Sequence, residues 1–356
     1  MRSHFLTPGV AAACAVAGAA AVLNGNCCAA PLIAADYATN SIYGSGWSAG
    51  QNGGYGFGAW NFDGTTYGTN IMGTNVDLPD PGSQQEMGSS FAIGTAWTMF
   101  NLTSTNGISN VGRAITEPGG LQVGQTFQTV IENPSAYHFF RGFDILFYNV
   151  ADNEPGGDNA AALRLSVFGY YLGGETAWSV TDNNGGTLTT LFSTNSAAAG
   201  LQIALTVTST NTYALTMTPL NGSTPYTQAG PLALVGTVAY PDTNSMYWSN
   251  SIVTNLPINY VNYRLWNTAS KGSNDSTNNF FISSMTILGV TLNIQLVGNN
   301  AILSWTTNFP SFYLASSSNL GPSAVWNTNL PASVVVNGQN VVTNPVAGTQ
   351  QYFRLQ

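Results

Sequence analysis

Apolar and polar residues alternate along most of this chain, and that period of two is its dominant signal. From Leu163 to Tyr171, Leu163, Leu165, Val167 and Tyr171 fall on one side and Arg164, Ser166 and Tyr170 on the other, with Phe168 breaking the rule. The pattern predicts a half-buried strand. Comparable runs lie at Phe91 to Leu102, Leu121 to Ile131, His138 to Tyr148, Thr187 to Phe192, Leu201 to Thr208, Tyr213 to Leu220, Tyr260 to Trp266 and Phe280 to Leu288. No amphipathic helical stretch separates them. The breaks are polar turn clusters, Asp152 to Asn159, Asp182 to Gly186 and Asn221 to Ser223, rich in residues that tolerate positive φ or start Asx turns. Many strands with frequent polar turns predict an all-β jelly-roll sandwich over residues 36–288.

From Val290 onward the strands shorten. Leu292 to Val297, Ala301 to Thr306, Phe312 to Ser316, Val325 to Thr328, Val334 to Val336, Asn340 to Thr343 and Gln351 to Leu355 predict a second, small β domain over residues 289–356. Asn337-Gly338 between valine runs is its clearest hairpin signal, because both turn positions need positive φ.

The first 29 residues read differently. Arg2, the apolar stretch Val10 to Leu23 and the small residues Cys27 to Ala30 form the three-part layout of a secretory leader, with cleavage expected after Ala29. The apolar stretch falls short of the roughly 20 residues needed to span a bilayer, and no later run is longer. Cleavage removes Arg2 and all three cysteines, so an exported, extracellular chain has to hold together by core burial and sheet hydrogen bonds.

Composition narrows the partners. Only 6% of the 356 residues are charged, and the net charge is −8. With 38 Asn and 39 Thr, neutral amides and hydroxyls do the solvating. A single lysine, Lys271, and six scattered arginines exclude a nucleic-acid binder, which needs clustered cations. The 12% aromatic content excludes disorder, since those rings bury enough apolar surface to offset ordering entropy.

Two segments have relatives in pattern. Leu303-Ser304-Trp305, Phe312-Tyr313-Leu314, Trp326, Val336 to Asn340 and Gln351 to Leu355 resemble a small immunoglobulin- or fibronectin-like module that closes many secreted proteins of Verrucomicrobia and related bacteria. The central stretches Gly112-Arg113-Ala114, Val123 to Phe127, Asn211 to Thr216 and Tyr263 to Asn267, before Asn279-Phe280-Phe281, resemble the lectin-like, concanavalin-type sandwich domains of secreted bacterial proteins. That resemblance implies a carbohydrate-binding fold.

Catalytic candidates are few. Glycoside hydrolysis needs two carboxyl groups roughly 5 to 9.5 Å apart, yet no Glu-x-Asp-x-Glu run exists, and Glu86, Glu117, Glu132, Glu154 and Glu175 all fall in or beside expected turns. His138 is the one histidine beyond the leader, which excludes a multi-histidine zinc site, and no Gly-x-Ser-x-Gly elbow accompanies it. No cofactor is implied, apart from a structural calcium ion. For that ion, Asp152, Glu154 and Asp158 form an oxygen-rich loop without EF-hand spacing, set against the plain reading of a solvated loop.

Aromatics beside amides or arginine are the better ligand candidates, because sugar C–H faces pack on rings while hydroxyls take hydrogen bonds. Such mixtures occur at Arg164 with Tyr170, at Trp178, at Tyr247 and Trp248, and at Arg264 with Trp266, against the plain reading that sandwich aromatics fill the core. The leading expectation is a secreted, non-catalytic binder of extracellular or cell-surface polysaccharide. A structural surface or matrix protein is the alternative, and a polysaccharide-degrading enzyme with dispersed catalytic residues the third.

Overall fold

The computed structural model describes residues 14–17, 30–63, 69–71, 96–101, 108–132, 141–150, 161–172, 175–181, 189–193, 200–232, 257–267, 280–307, 312–320, 324–346 and 350–355. The fold is all-β, with two large antiparallel sheets and two small ones built mainly from the C-terminal strands. The chain divides into two compact units, residues 34–122 with 126–287, and residues 1–33 with 123–125 and 288–356. Among the described residues no helix is long and apolar enough to cross a membrane.

Seven strands make the first large sheet: β3 (Asn61–Asp63), β6 (Ile108–Ala114), β8 (Arg141–Val150), β9 (Ala161–Leu172), β10 (Glu175–Thr181), β11 (Thr189–Ser193) and β15 (Tyr260–Asn267). Their order is β11-β10-β9-β8-β15-β6-β3. The second follows the order β14-β13-β12-β7-β16-β5-β4 and adds β2 (Leu32–Tyr37) beside β16. Its strands are β4 (Thr69–Ile71), β5 (Trp97–Asn101), β7 (Thr126–Glu132), β12 (Leu201–Ser209), β13 (Thr212–Pro219), β14 (Tyr226–Pro231) and β16 (Phe280–Leu288).

The core lies between these sheets. Leu201, Ile203, Leu205 and Val207 of β12 and Tyr213, Leu215 and Met217 of β13 are buried in strict alternation, while their neighbours are partly open. At about 25 cal/mol per Å² of apolar surface, one such face per strand holds the two layers together. Phe147 of β8 meets Phe127 of β7 edge-on at 5.4 Å, and Tyr263 of β15 donates to Thr129 Oγ1 of β7 at 2.9 Å. Those residues therefore mark the inward side of each strand.

A polar hub seats the segment around Ser41–Tyr43 against this core. Asp36 is wholly buried and accepts from Arg113 Nη1 (2.5 Å), Tyr43 OH (2.6 Å), Asn40 Nδ2 (2.8 Å) and the Tyr37 N–H (2.9 Å). Arg113 Nε donates to the Gly58 carbonyl at 2.9 Å, and Nη2 donates to Asn52 Oδ1 at 2.6 Å. Its guanidinium lies 4.6 Å from the centre of the Trp60 ring, a cation–π contact. Trp60, Trp47 and Trp97 pack around it with ring centroids 4.9 to 6.1 Å apart. Gly54 permits the close approach, because a Cβ there would stand 1.9 Å from the Ala35 carbonyl oxygen. The Gly-rich stretch from Gly44 to Gly58 contains short turns and isolated bridges before β3.

In the other unit, β17 (Asn293–Val297), β18 (Asn300–Thr306), β21 (Gln339–Pro345) and β20 (Val334–Val336) pair in the order β17-β18-β21-β20. A smaller sheet joins β1 (Cys14–Ala17), β22 (Gln350–Leu355) and β19 (Leu314–Ser317), with β22 in the middle. β1 falls inside the segment expected as a leader. Val290, Leu292, Leu303, Trp305, Leu314, Val342 and Phe353 form this unit's core. The strand expected at Val325 to Thr328 contracts to one isolated bridge between Ser316 and Asn327.

Candidate functional site

Since Tyr263 and Phe147 face inward, the alternate residues of β15 and β8 face away from the sandwich core. Register then arranges that outer face in rows. One row runs Ser166, Leu146, Asn262, Gly112, Asn61 across β9, β8, β15, β6 and β3. The next runs Phe168, Asp144, Arg264, Asn110, Asp63. A third places Tyr170 and Trp266 on either side of Gly142, and Tyr148, Tyr260 and Ala114 form a fourth.

The rows differ in access. Over β8 and β9, Asp144, Leu146 and Ser166 are buried, whereas Asn262, Asn110, Asn61 and Ala114 over β15, β6 and β3 are partly exposed. An amide patch therefore opens around Gly112. The Tyr260 ring lies across that glycine, so closely that a Cβ there would come within 2.5 Å of the ring. Glycine is needed for this approach, not for its φ. Asn262 Oδ1 and Ser166 Oγ are buried atoms with no hydrogen-bond partner among the described residues. An acceptor left in that state costs roughly 1–3 kcal/mol, a cost that a ligand donor or an ordered water would remove.

Arg264 and Asp144 border the patch as a buried ion pair, Nε donating to Oδ2 at 2.6 Å and Nη2 to the same oxygen. The pair cancels its own charge. What the open part offers is thus amides with no net cation, beside a buried Tyr260 ring, a surface suited to neutral hydroxyls.

Each sequence candidate finds a definite place. Arg264 joins this face, and Trp266 and Tyr170 join it by register. Trp178 does not: paired with Gly169, it sits on the inward side with Val180 and is fully buried. Its ring fills the core. Arg164 is buried too and donates through Nη2 to the Thr210 carbonyl at 3.0 Å; burial pulls its guanidinium below the usual range. The strand carrying it is closed on both sides at Arg164, Leu165, Ser166 and Val167, not half-buried as its alternation suggests. Glu132 is likewise buried at the end of β7, where a solvated turn was expected. Tyr247, Trp248 and the calcium candidates Asp152, Glu154 and Asp158 lie outside the described residues.

Sequence reading passed over Asn61, Asn110 and Asn262. A signal was present at Tyr260-x-Asn262-x-Arg264-x-Trp266, where one side of a single strand carries a ring, an amide, a cation and a ring.

Neither a family model nor a curated protein matches this chain. Among solved structures it has a distant similarity to legume lectin-like domains over about 65% of its length. The legume lectin-like domain from Entamoeba histolytica is 8% identical at a TM-score of 0.38, covering 65% of this chain and 90% of that one. The VIP36 exoplasmic/lumenal domain in its Ca2+/Man3GlcNAc-bound form is 12% identical at 0.35, covering 65% and 85%. The T. cruzi calreticulin globular domain is 10% identical at 0.38, covering 64% and 83%.

Proposed function

We propose that this protein is exported and that its larger unit binds a neutral extracellular polysaccharide over β3, β6 and β15, without cleaving it. The supporting observation is the amide patch of Asn61, Asn110 and Asn262 around Gly112, with the Tyr260 ring across it and Arg264 already neutralised by Asp144. Amides both donate to and accept from sugar hydroxyls. By register, positions 170 and 266 fall on the same face of the sheet as the patch.

Among the described residues of this face, the spacing of acids favours binding over hydrolysis. Asp63 and Asp144 share a row but stand three strands apart, about 14 Å at roughly 4.8 Å per strand. That exceeds the roughly 5 to 9.5 Å that a hydrolytic carboxyl pair requires. Asp144 is moreover committed to Arg264.

A glycan array and a retention assay on insoluble neutral polysaccharide test this reading. Asn262→Ala with Asn110→Ala should weaken retention about tenfold or more, a loss of ~1.4 kcal/mol, while the melting temperature moves by no more than a few degrees. Failure to bind any neutral or acidic glycan would refute it. N-terminal sequencing of the secreted protein tests export, with a start at Ala30 expected.

A further inference from the structure

In the sheet β17-β18-β21-β20, β20 is an edge strand paired to β21 alone. All three of its residues are exposed: Val334 at 60%, Val335 at 68% and Val336 at 49%. Three consecutive bare valines on an open edge are unusual, because natural edges are normally blunted by a lysine, a proline, a bulge or a covering loop. None of these guards occurs within Val334–Val336.

The hairpin fixes how that edge is offered. Asn337 (φ 49°) and Gly338 (φ 74°) form a two-residue turn with both φ positive, so Val336 and Gln339 close it as a hydrogen-bonded pair. Antiparallel ladders alternate, which makes Val335 opposite Asn340 a non-bonded pair. Asn340 turns its main-chain groups to Trp305 of β18. The N–H and C=O of Val335 therefore point outward at the free edge. The Thr307 N–H and hydroxyl both bond the Gly338 carbonyl, at 3.0 and 2.9 Å, and hold the turn in place.

We propose that β20 is a self-docking edge, on which two copies of this chain pair antiparallel about Val335. The strand is its own complement: in that register Val335 faces its equivalent and Val334 faces Val336, giving the closed two-fold contact of an isologous dimer. Charge selects the same place. Residues up to 275 carry a net charge of −9 (6 − 15), and Arg354 is the sole charged side chain beyond them. Two copies repel through their acidic parts and meet without repulsion here. Three residues give a weak contact, so the dimer forms only at high concentration or where many copies gather on one surface.

Sedimentation velocity on the full chain over a wide concentration series tests this. A monomer–dimer equilibrium is expected. Val335→Pro removes the outward N–H without touching a bond to β21, and Val335→Lys places a charge on each side of the two-fold. Each should lower the association constant at least about tenfold with an unchanged melting temperature, and Val325→Lys, at an exposed site off this sheet, should leave it as it is. A chain monomeric at all concentrations, a dimer insensitive to both Val335 variants, or open-ended polymers would each overturn the proposal. A strand of another protein at this edge would produce the first of those results. Glycan retention by the Val335 variants stays at the wild-type level, which separates this outcome from that of the binding reading.

Discussion

Asp36 and Arg113 illustrate how a buried ion pair is kept tolerable: the carboxylate accepts four hydrogen bonds, and the guanidinium is satisfied by Asn52, the Gly58 carbonyl and a ring face. Removing one partner strands the other in a dry site, so Asp36→Ala should destabilise by about 3–5 kcal/mol, read as a fall in melting temperature and denaturant midpoint. Tyr43 in the same hub has its phenol pushed up to about 12 by burial and by its bond to Asp36, from an ordinary value of 10.0. Because the folded state holds that proton longer than the unfolded chain does, stability should decline as pH rises from about 10 to 12. Alkaline unfolding followed by near-UV dichroism checks this, with Tyr43→Phe flattening the slope. None of this hub was legible in the sequence. Asp36 and Arg113 stand 77 residues apart, and nothing local marks them as partners. Arg264, Trp266 and Tyr170 could be found because each lies in an alternating strand, where position alone assigns a face. Trp178 misled because alternation assigns a side but does not say which side is the core.

Elements with clean alternation were readable. β12 and β13 follow the expected Leu201 to Thr208 and Tyr213 to Leu220 closely, since their inward residues are uniformly large and apolar. Leu205 sits mid-strand, wholly buried between β7 and β13. Leu205→Ala should therefore cost about 2–5 kcal/mol in urea unfolding, with the slope unchanged if the fold persists. β6, β10 and β14 escaped for separate reasons. In β6 the inward position after Val111 is Arg113, a cation no hydrophobic pattern marks, and Gly112 breaks the outer side. In β10 the described inward residues are Trp178 and Val180. As an edge strand, β14 carries no apolar stripe. The segment Leu121 to Gln125, expected to continue a strand, is instead preceded by positive-φ glycines at 119 and 120 and turned at Gly124.

At the scale of the whole molecule, scarcity of charge governs both proposed interactions. A glycan face without a free cation and a dimer edge without a guard are two results of one composition, in which 6% of residues are charged. The all-β class followed from turn spacing and the absence of helical period; the amide patch required the register of three strands, which no single segment encodes. The cluster of Trp47, Trp60 and Trp97 carries a last consequence. Three of the eight indoles lie close enough, and tilted enough, for their transition dipoles to couple. The folded protein thus carries an intrinsic chromophore whose exciton signal reports whether the chain's early segment is seated on the sandwich.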